Sequence, residues 1–253
     1  MSKAISVVNQ KGGVGKTTTA VNLSACLANI GSHVLIVDLD PQGNASSGLQ
    51  MKAGSRTVYE ALLGQCALKD AVTRTMQKHL DGAPTDIRMA GAELELAGMD
   101  KREYRLKEAL EPIRGDYDYI LIDCPPSLGL ITVNALAAAD SVLIPIQCEY
   151  YALEGVSSLI STITRIKKSV NPRLETEGVV LTMFDGRTNL SLQVAAEVKK
   201  HFKNKVFASV IPRNVRLGEA PSHGLPIHLY DPKSAGAEAY SSLARELIKR
   251  GRK

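Results

Sequence analysis

An α/β fold, with a mostly parallel central sheet and helices on both of its faces, is predicted by three features of the sequence. Six short β-branched runs are apolar along their length, stretches of helical period lie between most of them, and a glycine-rich turn joins the first run to the first helical stretch. Strands covered on both faces need no polar side, and parallel neighbours need a crossover, which a helix supplies.

In chain order the strand-like runs are AISVVN (residues 4–9), HVLIVD (33–38), YDYILID (117–123), SVLIPIQ (141–147), GVVLTMF (178–184) and VFASVI (206–211). Helical period recurs over residues 17–30, 101–113, 153–170, 190–202 and 235–249. Residues 41–100, where Gly, Pro and Ser cluster, are the least regular. No linker, repeat or low-complexity segment interrupts residues 1–253, which therefore read as one domain with a basic C-terminal surface.

Lysine and arginine number 31 against 26 acidic residues, a net charge of +5 that suits an anionic partner without specifying one. No apolar run approaches the ~20 residues of a membrane-spanning helix, and the first residues lead straight into a strand-like run. A cytoplasmic protein without a signal peptide is expected. Cys26, Cys66, Cys124 and Cys148 are widely spread, form no C-x-x-C pair and fall mostly in apolar surroundings. Buried small hydrophobes are expected there rather than a zinc site or disulfides.

The stretch NQKGGVGKTTTA (9–20) carries the chemistry. A phosphate-binding loop of the ordinary kind reads G-x-x-x-x-G-K-[ST]. Gly15, Lys16 and Thr17 supply its end, but Gln10 stands where the first glycine belongs and Lys11 follows it. Gly12, Gly13 and Gly15 leave backbone N–H groups free to wrap a phosphate at the start of a helix. Lys16 would neutralise the β- and γ-phosphates, and the Thr17 hydroxyl would bind Mg²⁺.

Two acidic positions complete a metal–phosphate site. YILIDCPPS is an apolar strand ending in Asp123, whose carboxylate would emerge at the carboxyl edge of the sheet, where open α/β folds bind ligands, and would hold Mg²⁺ through water. VLIVDLDPQGN ends with Asp38 and Asp40, two residues apart and so on one side of the chain; one of them could orient an attacking water.

KGGVGKTTT with Lys11, together with DLDPQGNAS, IDCPPSLG, PIQCEYYALEG and IPRNVRLGEAPSHG, resembles the deviant Walker A motif and the later motifs of the ParA/Soj chromosome-partitioning ATPases. The likeness runs over about residues 4–248. Lys11 alone would indicate only the wider group that includes the septum-site ATPase MinD and the nitrogenase iron protein. The resemblance implies an ATPase that binds ATP and Mg²⁺ and forms an isologous homodimer on binding ATP, in which Lys11 crosses to the partner's phosphates. It implies water positioning by Asp40 and a metal shared by Thr17, Asp40 and Asp123. The implied nucleotide contacts are Lys11, Gly12, Gly13, Val14, Gly15, Lys16, Thr17 and Thr18, with Met183, Pro212 and Asn214 near the base.

TMFD (182–185) occupies the place of the guanine-selecting N-K-x-D of GTP-binding relatives and lacks its Asn and Lys, which favours adenine. The resemblance also implies nonspecific binding of double-stranded DNA through Arg187 and Arg216, a nucleoid-associated location, and a ParB/Spo0J-type centromere-binding partner. Further basic residues are Arg213, the group Lys199, Lys200, Lys203 and Lys205, and the chain end Lys249, Arg250, Arg252 and Lys253. Three residues precede the first strand-like run, so the helix-turn-helix domain of larger plasmid relatives is not expected.

Three other readings compete. A MinD-like membrane protein would lay Leu243, Leu247 and Ile248 of the last helix on lipid, although that helix lacks Trp and Phe. An iron-protein reductase would need cluster cysteines, which AGAELELAG (90–98) does not contain. A metabolic P-loop enzyme would need a small-molecule pocket, for which no distinct motif is present.

Overall fold

The computed structural model describes residues 2–52, 54–149 and 152–251, with the side chains of 152–157 set aside. Tyr150 and Tyr151 of the fourth motif, and Arg252 and Lys253 of the basic chain end, lie outside the described residues. Seven strands, β1 (Lys3–Val7), β2 (Val34–Asp38), β3 (Thr73–Arg74), β4 (Leu80–Ala83), β5 (Tyr119–Asp123), β6 (Ser141–Gln147) and β7 (Glu175–Thr182), form one sheet in the order β3-β4-β2-β5-β1-β6-β7. Every pairing is parallel except β3 with β4.

The helices are α1 (Lys16–Asn29), α2 (Asn44–Gly48), α3 (Val58–Leu62), α4 (Ala92–Ala97), α5 (Arg105–Leu110), α6 (Leu130–Ala138), α7 (Ala152–Ser169), α8 (Asn189–Phe202), α9 (Val215–Glu219), α10 (Ile227–Tyr230) and α11 (Ala235–Gly251). They cover both faces. Neighbouring strand residues alternate between two apolar cores: Leu35, Val37, Ile120 and Ile122 face one, and Val34, Ile36 and Leu121 the other. The first core takes side chains from α3 to α8, the second from α1, α2, α9, α10 and α11.

Several expected elements change. VFASVI is not a strand. It touches the sheet through a lone bridge from Val206 to Val179 and through N–H bonds from Phe207 and Ile211 to the Val179 and Leu181 carbonyls (both 2.8 Å). The N–H groups between them, of Ala208 and Ser209, instead donate to the Glu246 carboxylate on α11 (both 2.9 Å), so the ladder cannot form. Gly178 allows this segment its close passage, since a Cβ there would lie 2.7 Å from the Lys205 carbonyl oxygen and 2.5 Å from the Phe207 ring.

The helix expected over 101–113 shortens to α5, because Pro112 lacks an N–H and the chain tightens to a 3₁₀ turn over Glu111–Asp116. Helix α6, with the sequence LITVNALAA, is buried almost all round and therefore lacks the amphipathic stripe that marks the others. Strands β3 and β4 lie inside the irregular stretch 41–100, where Asp81 and Gly82 break the apolar run.

The last helix docks on its own protein. Leu243 and Leu247 are fully buried in the second core, Ile248 packs against it, and the Tyr240 hydroxyl shares a hydrogen bond with Thr19 on α1 (3.2 Å). The stripe that would have to meet lipid is thus occupied. Among the described residues no helix is long and apolar enough to cross a membrane. Leu243→Ala should lower the free energy of unfolding by about 2–4 kcal/mol, as expected for a fully buried leucine in a close-packed site. Urea unfolding followed by circular dichroism checks this.

Candidate functional site

Parallel register builds the site. Val7 lies opposite Asp123, and Asp123 opposite Asp38, at the carboxyl ends of three adjacent strands. The loop that follows β1 therefore begins beside both carboxylates. It is tied down on each side: the Asn9 amide donates to the Pro145 carbonyl (2.7 Å), its oxygen accepts from Lys11 N–H (3.0 Å), and the Thr182 hydroxyl donates to the Val14 carbonyl (2.8 Å). The Val14 side chain is buried, so it can meet a ligand only through its backbone.

Gly13 and Gly15 hold φ of 74° and 88°, the left-handed region that glycine adopts without strain. Helix α1 then starts at Lys16 with Gly15 as its N-cap, no side-chain cap and no acidic residue in its first turn. Its leading N–H groups, and the positive end of its dipole, stay available for an anion. Lys16 is buried, and its ammonium donates to the Lys11 carbonyl (3.1 Å). Burial lowers its pKa, while the charges of Asp123, Cys124 and Asp40 oppose that shift.

The three carboxylates differ in their commitments. Asp38 is buried at the end of β2, and its oxygens accept from Ser46 N–H (2.8 Å), Ser46 hydroxyl (2.7 Å) and Asp40 N–H (3.1 Å). Thr85 N–H in turn donates to the Ser46 hydroxyl (3.1 Å), so Asp38 organises the loop after β2. The Asp40 carboxylate accepts only one hydrogen bond among the described residues, from Gln42 N–H (3.0 Å), and retains acceptor capacity. Asp123 is fully buried, and neither oxygen has a well-formed hydrogen bond among the described residues, although Thr17 lies close enough to favour its ionised form. Burial first, and then the neighbouring Asp38, raise its carboxyl well above the ordinary range.

An orphaned buried carboxylate beside a threonine hydroxyl and an uncapped helix start fits a divalent cation held jointly with phosphate. Among the described residues no group of three or more His, Cys, Asp or Glu is arranged to bind a metal by itself. That pattern suits Mg²⁺, which takes one or two protein carboxylates and completes its shell with water and phosphate oxygens.

A cavity of about 360 Å³ opens beside Gly15 and Thr18, lined also by Met183, Pro212, Asn214 and Tyr240. The expected base contacts are thereby brought together around one apolar slot next to the loop. The Asn214 side-chain oxygen is buried there without a partner among the described residues. Sequence reasoning assigned no role to Asn9, Thr182 or Glu149. Thr182 and Glu149 lie within stretches singled out from the sequence, but their bonds to the loop depend on strands distant in the chain.

Arg187, Arg213 and Arg216 are exposed and locally paired. Arg187 holds Asp185 (2.7 Å) and Arg216 holds Glu219 (2.8 Å) and Asp231 (3.5 Å). Asp185 also feels Arg213, so Arg187 and Arg213 are neighbours, whereas Arg216 belongs to a different ion-pair group on α9. Lys199, Lys200, Lys203 and Lys205 gather at and beyond the end of α8. All four cysteines are free; Cys26, Cys124 and Cys148 are buried as expected, and Cys66 is half-buried.

The AAA domain family model matches residues 2–176. The sporulation initiation inhibitor protein Soj of Bacillus subtilis is 58% identical over 99% of this chain and 100% of its own length, and the chromosome partitioning protein ParA of Myxococcus xanthus 55% over 99% and 89%. The chain belongs to the ParA/Soj family of P-loop ATPases. Solved structures similar to this ParA/Soj-family chain include the cobyrinic acid a,c-diamide synthase of Mycobacterium smegmatis with bound ATP analogue and magnesium (TM-score 0.88, 38% identity, 100% of this chain and 96% of that one). The septum site-determining protein MinD of Pyrococcus horikoshii with Mg-ADP is similar too (TM-score 0.83, 29% identity, 99% and 98%).

The raised Asp123 carboxyl has a consequence for stability. A native acid with a raised pKa keeps protons that the unfolded chain releases, so its contribution is present at low pH and is lost as pH rises toward the raised value. Asp123→Asn removes that loss. Without nucleotide, its stability relative to wild type should climb once pH exceeds the ordinary carboxylate range near ~4, by up to about 1.4 kcal/mol per pH unit. Urea unfolding of both proteins across acid to neutral pH checks this; a difference that stays flat with pH would contradict it.

Proposed function

We propose that this ParA/Soj-family chain is a Mg²⁺-dependent ATPase that pairs on binding ATP, holds double-stranded DNA nonspecifically as the dimer, and acts in chromosome or plasmid segregation. A ParB/Spo0J-type centromere-binding protein stimulates its turnover, and its location is the cytoplasm and the nucleoid surface. The observation that carries this reading is the division between the two loop lysines. Lys16 is buried at the phosphate position, whereas the Lys11 side chain stands at the loop's entrance with about a third of its surface exposed (34%). An identity of 55% to a chromosome partitioning protein, against 38% to the diamide synthase, favours segregation over a metabolic role.

In hydrolysis, a water oxygen bonds to the γ-phosphorus as the bridging bond to the β-phosphate breaks, and the water's proton leaves with the phosphate product or solvent. Asp40, with acceptor capacity to spare, orients that water. Lys16, the N–H groups at the start of α1 and the partner's Lys11 stabilise the charge that spreads over the transferring group. Thr17, Asp123 and Asp40 would hold Mg²⁺, which would neutralise phosphate charge when bound. Asp38 keeps the loop that carries Asp40 in place. Met183, Pro212 and Asn214 receive the adenine.

Gly12 supports the close approach of two chains. A Cβ at Gly12 would meet nothing within 4 Å in its own chain, so Gly12→Val is tolerated by the monomer and should fail only where a second backbone arrives. DNA binding measured with ATP, ADP and no nucleotide tests the proposal. Binding is expected with ATP alone and not in Gly12→Val. If Arg187 and Arg216 of both protomers neutralise four phosphates, affinity should fall roughly a hundredfold between about 50 and 200 mM salt. Equal binding in all three nucleotide states would contradict the reading.

Asp40→Ala should still bind ATP and form the dimer in sedimentation, but release phosphate at least tenfold more slowly, the loss expected when water loses its orienting base. Unchanged phosphate release would move the role to Asp38.

A further inference from the structure

Within one chain both loop lysines have partners. Lys16 Nζ donates to the Lys11 carbonyl, and Lys11 Nζ pairs with Glu149 Oε2 at 3.4 Å. Glu149 lies two residues beyond the end of β6, the strand whose Pro145 carbonyl anchors Asn9. Its other oxygen accepts from the Gln147 amide and is approached by Arg213 at 3.9 Å. The cation that the proposed function sends to the partner's triphosphate thus rests on a carboxylate of its own chain.

We infer that Glu149 is the cis counter-ion of Lys11, a positioning residue that holds the lysine on its own chain until a partner's triphosphate draws it across, and so sets how readily ATP pairs two chains. The inference rests on the dimer reading above. The magnitudes suit such a role. An ion pair with side chains 34% and 44% exposed is weak, so its removal should matter by roughly two- to fivefold, enough to bias an equilibrium without blocking it. A triphosphate offers several negative charges and charge-assisted hydrogen bonds in a site closed from water, and therefore outcompetes one half-exposed carboxylate.

Release leaves no bare charge, because Gln147 and Arg213 stay with Glu149. Two-fold symmetry then multiplies the effect. Each dimer opens two such pairs, so a two- to fivefold change per pair becomes about four- to twenty-five-fold in the dimer dissociation constant. The sequence alone does not suggest the pair, since Lys11 and Glu149 are far apart in the chain.

Glu149→Gln keeps the side-chain shape and removes the charge. Labelling by an amine-reactive reagent without nucleotide, read by peptide mass spectrometry, reports the state of Lys11, with Lys69 as the internal reference. Lys11 should label roughly two- to fivefold faster in the variant while Lys69 is unchanged. Sedimentation across protein concentrations in saturating ATP should place the variant's dimer dissociation constant about four- to twenty-five-fold below wild type, with Glu149→Asp between the two.

Equal Lys11 labelling in wild type and variant overturns the cis pair. Faster labelling with unchanged dimerisation overturns its control of pairing. Wild-type protein that stays monomeric in saturating ATP, with Lys11 labelling still responding to Glu149→Gln, overturns the dimer reading and leaves the cis pair standing.

Discussion

The site depends on the burial of Asp123 at the carboxyl end of a central strand. Its neighbours β1 and β2 fix it in register with Val7 and Asp38, and both sheet faces are sealed by apolar cores. A slip of one residue along β5 would turn the carboxylate to the opposite face and bury an isoleucine or a cysteine in its place. Water cannot reach it, and no hydrogen bond within the described residues satisfies it. Uptake of a proton relieves that cost in the free protein, as the raised carboxyl shows, and a bound cation would relieve it in the ionised form, so stability and the proposed function pull in opposite directions here.

The loop beside it answers with positive charge of two kinds. Lys16 is buried and held over the loop, where low dielectric strengthens its interaction with phosphate and with Asp123. Lys11 is about a third exposed, and its backbone is fixed by Asn9 while its side chain is held only by the weak pair with Glu149. Rigid backbone and movable side chain are what a residue needs if it is to serve a neighbouring chain.

Packing on the second core links this loop to the rest of the molecule. Tyr240 of α11 meets Thr19 in α1 and also lines the cavity beside Gly15. The same helix supplies Glu246, which pulls the backbone of 208–209 out of the sheet and sets the course of the segment that ends in Pro212, Arg213, Asn214 and Arg216. One helix therefore positions the cavity beside Gly15 and Arg216, one of the two arginines proposed to meet DNA, which ties burial of Leu243 and Leu247 to both.

Local signals in the sequence determined a great deal: the parallel α/β class, β1 followed by an uncapped glycine-rich turn and α1, and Asp38, Asp40 and Asp123 at strand ends. These are legible because period, glycine spacing and strand-end acids are properties of a few consecutive residues. Tertiary structure alone decided the rest. Residues 206–211 have a strand's composition, yet their N–H groups are claimed by Glu246 from α11. Helix α6 is buried all round and so shows no stripe. Asp38 and Asp40 look equivalent in the sequence until Ser46 engages one and leaves the other open. Lys11 meets Glu149 only because β1 and β6 are adjacent strands, a pairing that crossover topology sets and no local pattern records.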